Sequence, residues 1–252
     1  MATMSRDEFI AEFHSLFERF DRPLRAQDGI AQSELDLAEA RLGIRIPDRL
    51  RDYYLLVSNN KPIFHRGTIA VYLANTPEEQ LPHGSELSVI HDHLFFCRGD
   101  YGGNKWGIPL ADLDQPDPPV NVVVDPDADP WQWIPFQDTL SGFLLSLFYY
   151  LGTHGGLRYG AVFDSSPELV ARIKDIFPVA AVFGNTLVPT DYIFKYEFFG
   201  REREMFSVVE DKIWLATGRE DWREEVRKEL GFDWRLRYPE DFPAVFMNRF
   251  QD

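Results

Sequence analysis

The chain has 252 residues, enough for one large or two small domains that bury roughly 70–75% of their unfolded surface without a metal or disulfide. Its 41 acidic residues against 26 Lys and Arg leave a net charge of −15. That sign argues against a general nucleic-acid or anionic-membrane binder, because both need cationic patches.

The N-terminus turns acidic at Asp7-Glu8 before any apolar run, so no signal peptide is expected, and the single cysteine, Cys97, suits a reducing cytoplasm. Ser5 and Glu8 have capping-box spacing at the head of a first helix to Phe20, with Phe9, Phe13, Leu16, Phe17 and Phe20 on one face. After a polar turn, Ser33 is expected to cap a second helix that Gly43 stops. Ile44 to Pro47 links it to a third helix, Pro47 to Ser58, with Pro47 in its first turn.

Beyond Asn59-Asn60 the texture changes. Thr68–Leu73, Leu87–Cys97, Trp106–Leu110, Val120–Val124 and Trp131–Phe136 are short segments rich in β-branched and aromatic residues, separated by Gly, Pro and Asp clusters. They predict strands, and with no long helix between them a mainly antiparallel sheet. An apolar helix follows to Leu151, its Phe143–Leu151 run too short to span a membrane. Gly152 to Gly156 marks a candidate boundary, dividing the chain into 1–156 and 157–252.

In the second part, Ser166-Pro167 opens a helix to Phe177. Strands are expected at Ile193–Phe199, Glu204–Val209 and Lys212–Ala216 with turns at Gly200 and Glu210-Asp211, then a helix from Glu220 to Leu230. The fold class is therefore α+β: a mainly antiparallel sheet with helices packed on it, plus a C-terminal α+β extension that either forms its own module or extends the first sheet.

Residues 112–138 hold Asp112, Asp114, Asp117, Asp125, Asp127, Asp129 and Asp138 and no Lys or Arg, so nearly half the net charge sits in one short stretch. Asp125, Asp127 and Asp129 have the spacing of a calcium loop. The glycine and terminal glutamate of such a loop are replaced by Pro130 and Phe136, so a solvated acidic loop is expected instead. His91 and His93 fall two apart in an expected strand with Cys97 at the same parity, a pairing seen in metal sites. No further His or Cys stands at motif spacing, so a half-exposed pair and a core cysteine are expected, with no metal and no cofactor. The glycines from Gly99 to Gly107 lack phosphate-loop spacing and read as a hairpin turn. No catalytic motif is present, and no catalytic residue is assigned.

Glu39-Ala40-Arg41-Leu42-Gly43-Ile44-Arg45-Ile46-Pro47, followed by Leu50, Tyr53 and Tyr54, resembles the opening signature of SUKH-superfamily (SMI1/KNR4-like) domains. The Phe95–Leu110 region resembles that family's strand–glycine turn–strand element. Trp131 to Phe136 and the Phe143-Leu144 helix resemble its closing tryptophan strand and last helix. The likeness covers about residues 30–151 and departs at Asn59-Asn60, where Asn-Gly is common in the family. It implies a cytoplasmic, non-enzymatic immunity protein that binds a cognate polymorphic toxin, often a nuclease, and it leaves an intracellular scaffold as the alternative. A metal-dependent hydrolase using His91, His93 and carboxylates is the enzymatic alternative. The expected partner is a protein, with no direct nucleic acid and no membrane. Asp112, Asp114, Asp117, Asp125, Asp127 and Asp129 are the expected partner-binding face, since an acidic surface steers toward a basic nuclease. The oligomeric state is not legible.

Overall fold

A computed structural model describes residues 4–19, 23–58, 69–71, 87–99, 104–123, 125, 127–128, 130–153, 159–183, 196–201, 204–209, 212–217 and 222–231. Three helices come first, α1 (Arg6–Arg19), α2 (Gln32–Leu42) and α3 (Asp48–Val57). The expected capping box forms at α1: Ser5 N–H donates to Glu8 and Glu8 N–H donates to Ser5 Oγ. Gly43 ends α2 in the left-handed conformation at φ 67°, its N–H returning to the Glu39 carbonyl. Ser33 does not cap α2. The helix starts earlier, with Ala31 at the cap position, because Glu34 reaches back to accept the Ala31 N–H. Pro47 likewise sits just before α3.

Side-chain bonds tie the three helices together. Glu39 accepts from the Ile46 N–H and from Arg51, so one carboxylate ties α2 to the link and to α3. Arg6 forks onto the buried Asp52 and closes α1 against α3. Gly29 allows the preceding turn to touch α3: a Cβ there would lie 1.6 Å from the Leu55 carbonyl oxygen, and Ile30 N–H donates to Tyr54 O.

Among the described residues six strands form the first sheet: β1 (Ile69–Val71), β2 (Ser88–Ile90), β3 (His93–Gly99), β4 (Lys105–Pro109), β5 (Val120–Val123) and β6 (Trp133–Gln137). Their order is β1-β3-β4-β5-β6 with β2 also paired to β3, and every pair is antiparallel. The expected single strand Leu87–Cys97 is in fact a hairpin. His91 and Asp92 take φ 46° and 59°, two successive left-handed residues that turn the chain tightly between the paired Ile90 and His93. A bulge between Phe95 and Cys97 then shifts the register. Leu94, Phe96 and Cys97 all enter the core, so Cys97 does not share a face with His93.

Helix α4 (Leu140–Leu151) lies on the inner face of this sheet. The second part of the chain adds β7 (Tyr159–Asp164), α5 (Pro167–Ile176), β8 (Val179–Phe183), β9 (Tyr196–Arg201), β10 (Glu204–Val209), β11 (Lys212–Thr217) and α6 (Trp222–Leu230). These strands form a separate antiparallel sheet in the order β7-β11-β10-β9-β8. Strands β7 and β8 are not among those expected from the sequence. Gly200, expected as a turn, lies inside β9. The expected turn at Glu210-Asp211, like Asn59-Asn60 and Gly155-Gly156, lies outside the described residues.

The two sheets share α4. Phe143 packs on Phe96, Trp106 and Phe136 of the first sheet, and Phe148 meets Phe13, Phe17 and Tyr53 of α1 and α3. Tyr149 stacks on Phe198 and Tyr150 meets Tyr196 in the second sheet, so one apolar cluster runs through both. A second cluster, built on Phe199, Phe206, Ile213 and Leu215, seats α5 and α6 on the far face of the second sheet. No helix among the described residues is long and apolar enough to cross a membrane.

Asp117 anchors the start of α4. It is buried and accepts from both the Ser141 N–H (2.7 Å) and the Ser141 hydroxyl (2.6 Å), while Thr139 caps the Gly142 N–H. A carboxylate beside the N-terminal end of the helix also complements its dipole. Asp117→Ala is therefore expected to cost roughly 1–3 kcal/mol by urea unfolding, because it strands a buried donor, whereas exposed Asp125→Ala stays within about 0.5 kcal/mol. Truncation to residues 1–156 uncovers the Tyr149–Tyr150 side of α4. The fragment is expected to bind a hydrophobic dye and to unfold at lower temperature than the full chain, and an unchanged melting midpoint would refute the shared core.

Candidate docking surface

The face of the first sheet turned away from the helices carries a different chemistry from the core. Paired residues across antiparallel strands share a face, so Phe95, Gly107, Asn121 and Pro135 form one row across β3, β4, β5 and β6. His93, Lys105 and Trp133 stand beside that row, and Trp131 precedes β6 at the same parity as Trp133. None of these residues belongs to either apolar cluster, yet Phe95 is buried and Trp131, Trp133, His93 and Lys105 are only half-exposed. They cover one another.

Gly107 is the floor of the arrangement. A Cβ there would lie 2.8 Å from the Trp133 ring and 3.2 Å from His93 Cβ, so the missing side chain makes the space in which Trp133 lies. The His93 ring stacks on Trp133 at 4.3 Å with 10° between planes. His93 Nδ1 is 2.9 Å from the His91 carbonyl, which can only accept, so Nδ1 carries the hydrogen; Nε2 then accepts from Asn121 Nδ2 at 3.0 Å. Both ring nitrogens are engaged in fixing the imidazole on the tryptophan. His91 is exposed in the turn and Cys97 lies in the core, so the three residues of the expected strand do not converge. Among the described residues no group of three His, Cys, Asp or Glu is placed to hold a metal ion.

Trp131 lies in the middle of a second group. Phe95, His91 and Trp133 surround it at 6.2, 6.0 and 5.9 Å, with ring planes 62–72° from its own. Lys105 Nζ stands 3.9 Å from its ring centroid. Burial pushes the Lys105 ammonium below its ordinary range; the charge of Asp127 opposes that shift and Arg98 adds to it.

The aspartates do not form one patch. Asp125 and Asp127 are exposed in the loop that leads into Trp131, where the Asp127 N–H donates to Asp125 Oδ1 at 3.0 Å. Asp114 is exposed and Asp112 half-buried, the latter accepting from Gln115. These two precede β5 and the other pair follows it, so the four belong to two separate loops. Asp117 is removed from the face altogether by its bonds to Ser141, and Asp129 lies outside the described residues.

The sequence predicts a strand at Trp131–Phe136 and a half-exposed His91–His93 pair, and neither expectation joins the tryptophans and His93 into one surface. The signal for this surface was the alternation Trp131-x-Trp133-x-Pro135 against Ile134 and Phe136, which places the tryptophans opposite the core. Gly107, Asn121 and Lys105 carry no such signal and are recruited by register alone.

In comparison with known proteins, no family model, no curated protein and no solved structure matches the chain.

Proposed function

We propose that the chain is a cytoplasmic, non-enzymatic binding protein of the SUKH type that neutralises a cognate polymorphic toxin, a nuclease, by direct contact through the outer face of its first sheet. The observation that carries the reading is the half-exposed Trp131–Trp133 pair, held rigid by His93, Gly107 and Asn121 on a sheet face that lies outside both apolar clusters. Tryptophan is enriched among the few residues that dominate protein interfaces, because it buries a large area while losing little conformational freedom. The resemblance over residues 30–151 and the antiparallel α+β architecture support the same reading.

The acidic rim gives the partner its character. A nuclease must be basic where it holds a polyanion, and exposed Asp125 and Asp127 lie in the loop that leads into Trp131 while Asp112 and Asp114 lie in the segment before β5. Charges so placed speed encounter through long-range attraction and contribute less to the lifetime of the complex.

The test is rescue. Cells that express a nuclease toxin encoded beside this gene are expected to survive with the wild-type chain and to die with Trp131→Ala/Trp133→Ala, whose fold is checked by circular dichroism. Equal survival with both chains, or with neither, would sink the proposal. In stopped-flow measurements the association rate is expected to fall about tenfold or more between low and high salt. Asp125→Asn/Asp127→Asn is expected to slow association several-fold while changing dissociation little.

A further inference from the structure

We propose that Trp131 is the seat for an arginine side chain of the partner, and that Lys105 occupies this seat in the free protein as an internal competitor. The inference rests on the docking reading above and names the chemistry of its central contact. A cation within roughly 6 Å of an indole centroid is held by the ring quadrupole, and Lys105 Nζ stands at 3.9 Å. Phe95, His91 and Trp133 are set steeply around the indole like the sides of a shallow box, with the ammonium over its floor. Exposed Asp125 and Asp127 lie in the loop that leads into Trp131, so the seat is anionic at its rim and aromatic at its base. Both features select a cation.

Lysine is the weaker guest. Its ammonium is compact and strongly hydrated, and burial at this position works against its charge. A guanidinium is planar and more weakly hydrated, and it stacks on an aromatic face while its edge donates to carboxylates. Exchange of the Lys105 ammonium for a partner guanidinium therefore returns the lysine to full hydration and gives Asp127 or Asp125 a forked donor. In the absence of a partner, Lys105 shields Trp131, so the free protein does not present a bare tryptophan. The occupied state also lowers apparent affinity by the fraction of time in which the seat is filled.

The experiment uses the full-length chain with its tryptophan indoles labelled for NMR, and a blocked hexa-arginine peptide as the probe at about 150 mM salt. Lys105→Met and Lys105→Gln both vacate the seat. Lys228→Met removes the same charge at an exposed position on α6 and serves as the control. The two Lys105 variants are expected to bind the peptide about three- to tenfold tighter than Lys228→Met, with the shift centred on the Trp131 indole, and Trp131→Leu is expected to abolish the difference. If the peptide moves the Trp131 and Trp133 indoles but the Lys105 variants bind no tighter than the control, the competitor is refuted and the docking face stands. If the peptide moves neither indole in any variant, the docking reading itself fails with it.

Discussion

Helix α4 contains no charged residue and is apolar on every side, and this constraint organises the rest of the molecule. A helix of that kind must be covered all round. Phe143 takes the first sheet, Phe148 takes α1 and α3, and Tyr149 and Tyr150 take the second sheet. Its few polar groups are spent on anchoring: Ser141 on Asp117, and Ser146 on the Val182 carbonyl of β8. The second sheet is thus the remaining wall of the first core, and it brings its own cluster to seat α5 and α6.

That arrangement commits the inner face of the first sheet and leaves its outer face outside both apolar clusters. Two of the terminal strands have blocked edges. The terminal strand β6 carries Pro135, which has no N–H to offer a further strand. The terminal strand β8 has its Val182 carbonyl occupied by Gln137 and Ser146. The side chains on the outer face of the first sheet are held in place by their neighbours. Stacking on His93, the gap at Gly107 and the Asn121 hydrogen bond fix Trp133, so on the docking reading proposed above less conformational freedom is lost on contact.

The acidic stretch that dominates the sequence divides into two physical roles. Asp117 is structural, holding the start of the helix on which everything packs. Asp125 and Asp127 are exposed at the entrance to Trp131, and Asp112 and Asp114 stand a strand away. Carboxylates in separate loops do not form one patch, but their long-range fields add.

The sequence alone determined the features whose causes are local. The Ser5–Glu8 box, the Gly43 stop, the Ser166-Pro167 start and the strand at Glu204–Val209 each depend on a few adjacent residues and were legible there. So was the apolar character of α4, and with it the need for a surrounding core. Only the tertiary structure decided the rest. The His91–Asp92 turn contains neither Gly nor Asn, and the bulge that moves Cys97 into the core has no residue signature. Strand β8 is largely alanine and valine and declares itself only once β9 pairs with it. The burial of Asp117 depends on Ser141, 24 residues later in the chain, and the aromatic face depends on the register of four strands. Local propensity acts over one turn of helix or a few residues of strand. Pairing register and the burial of a charge are set by groups distant in sequence, and they exist only when the chain has closed on itself.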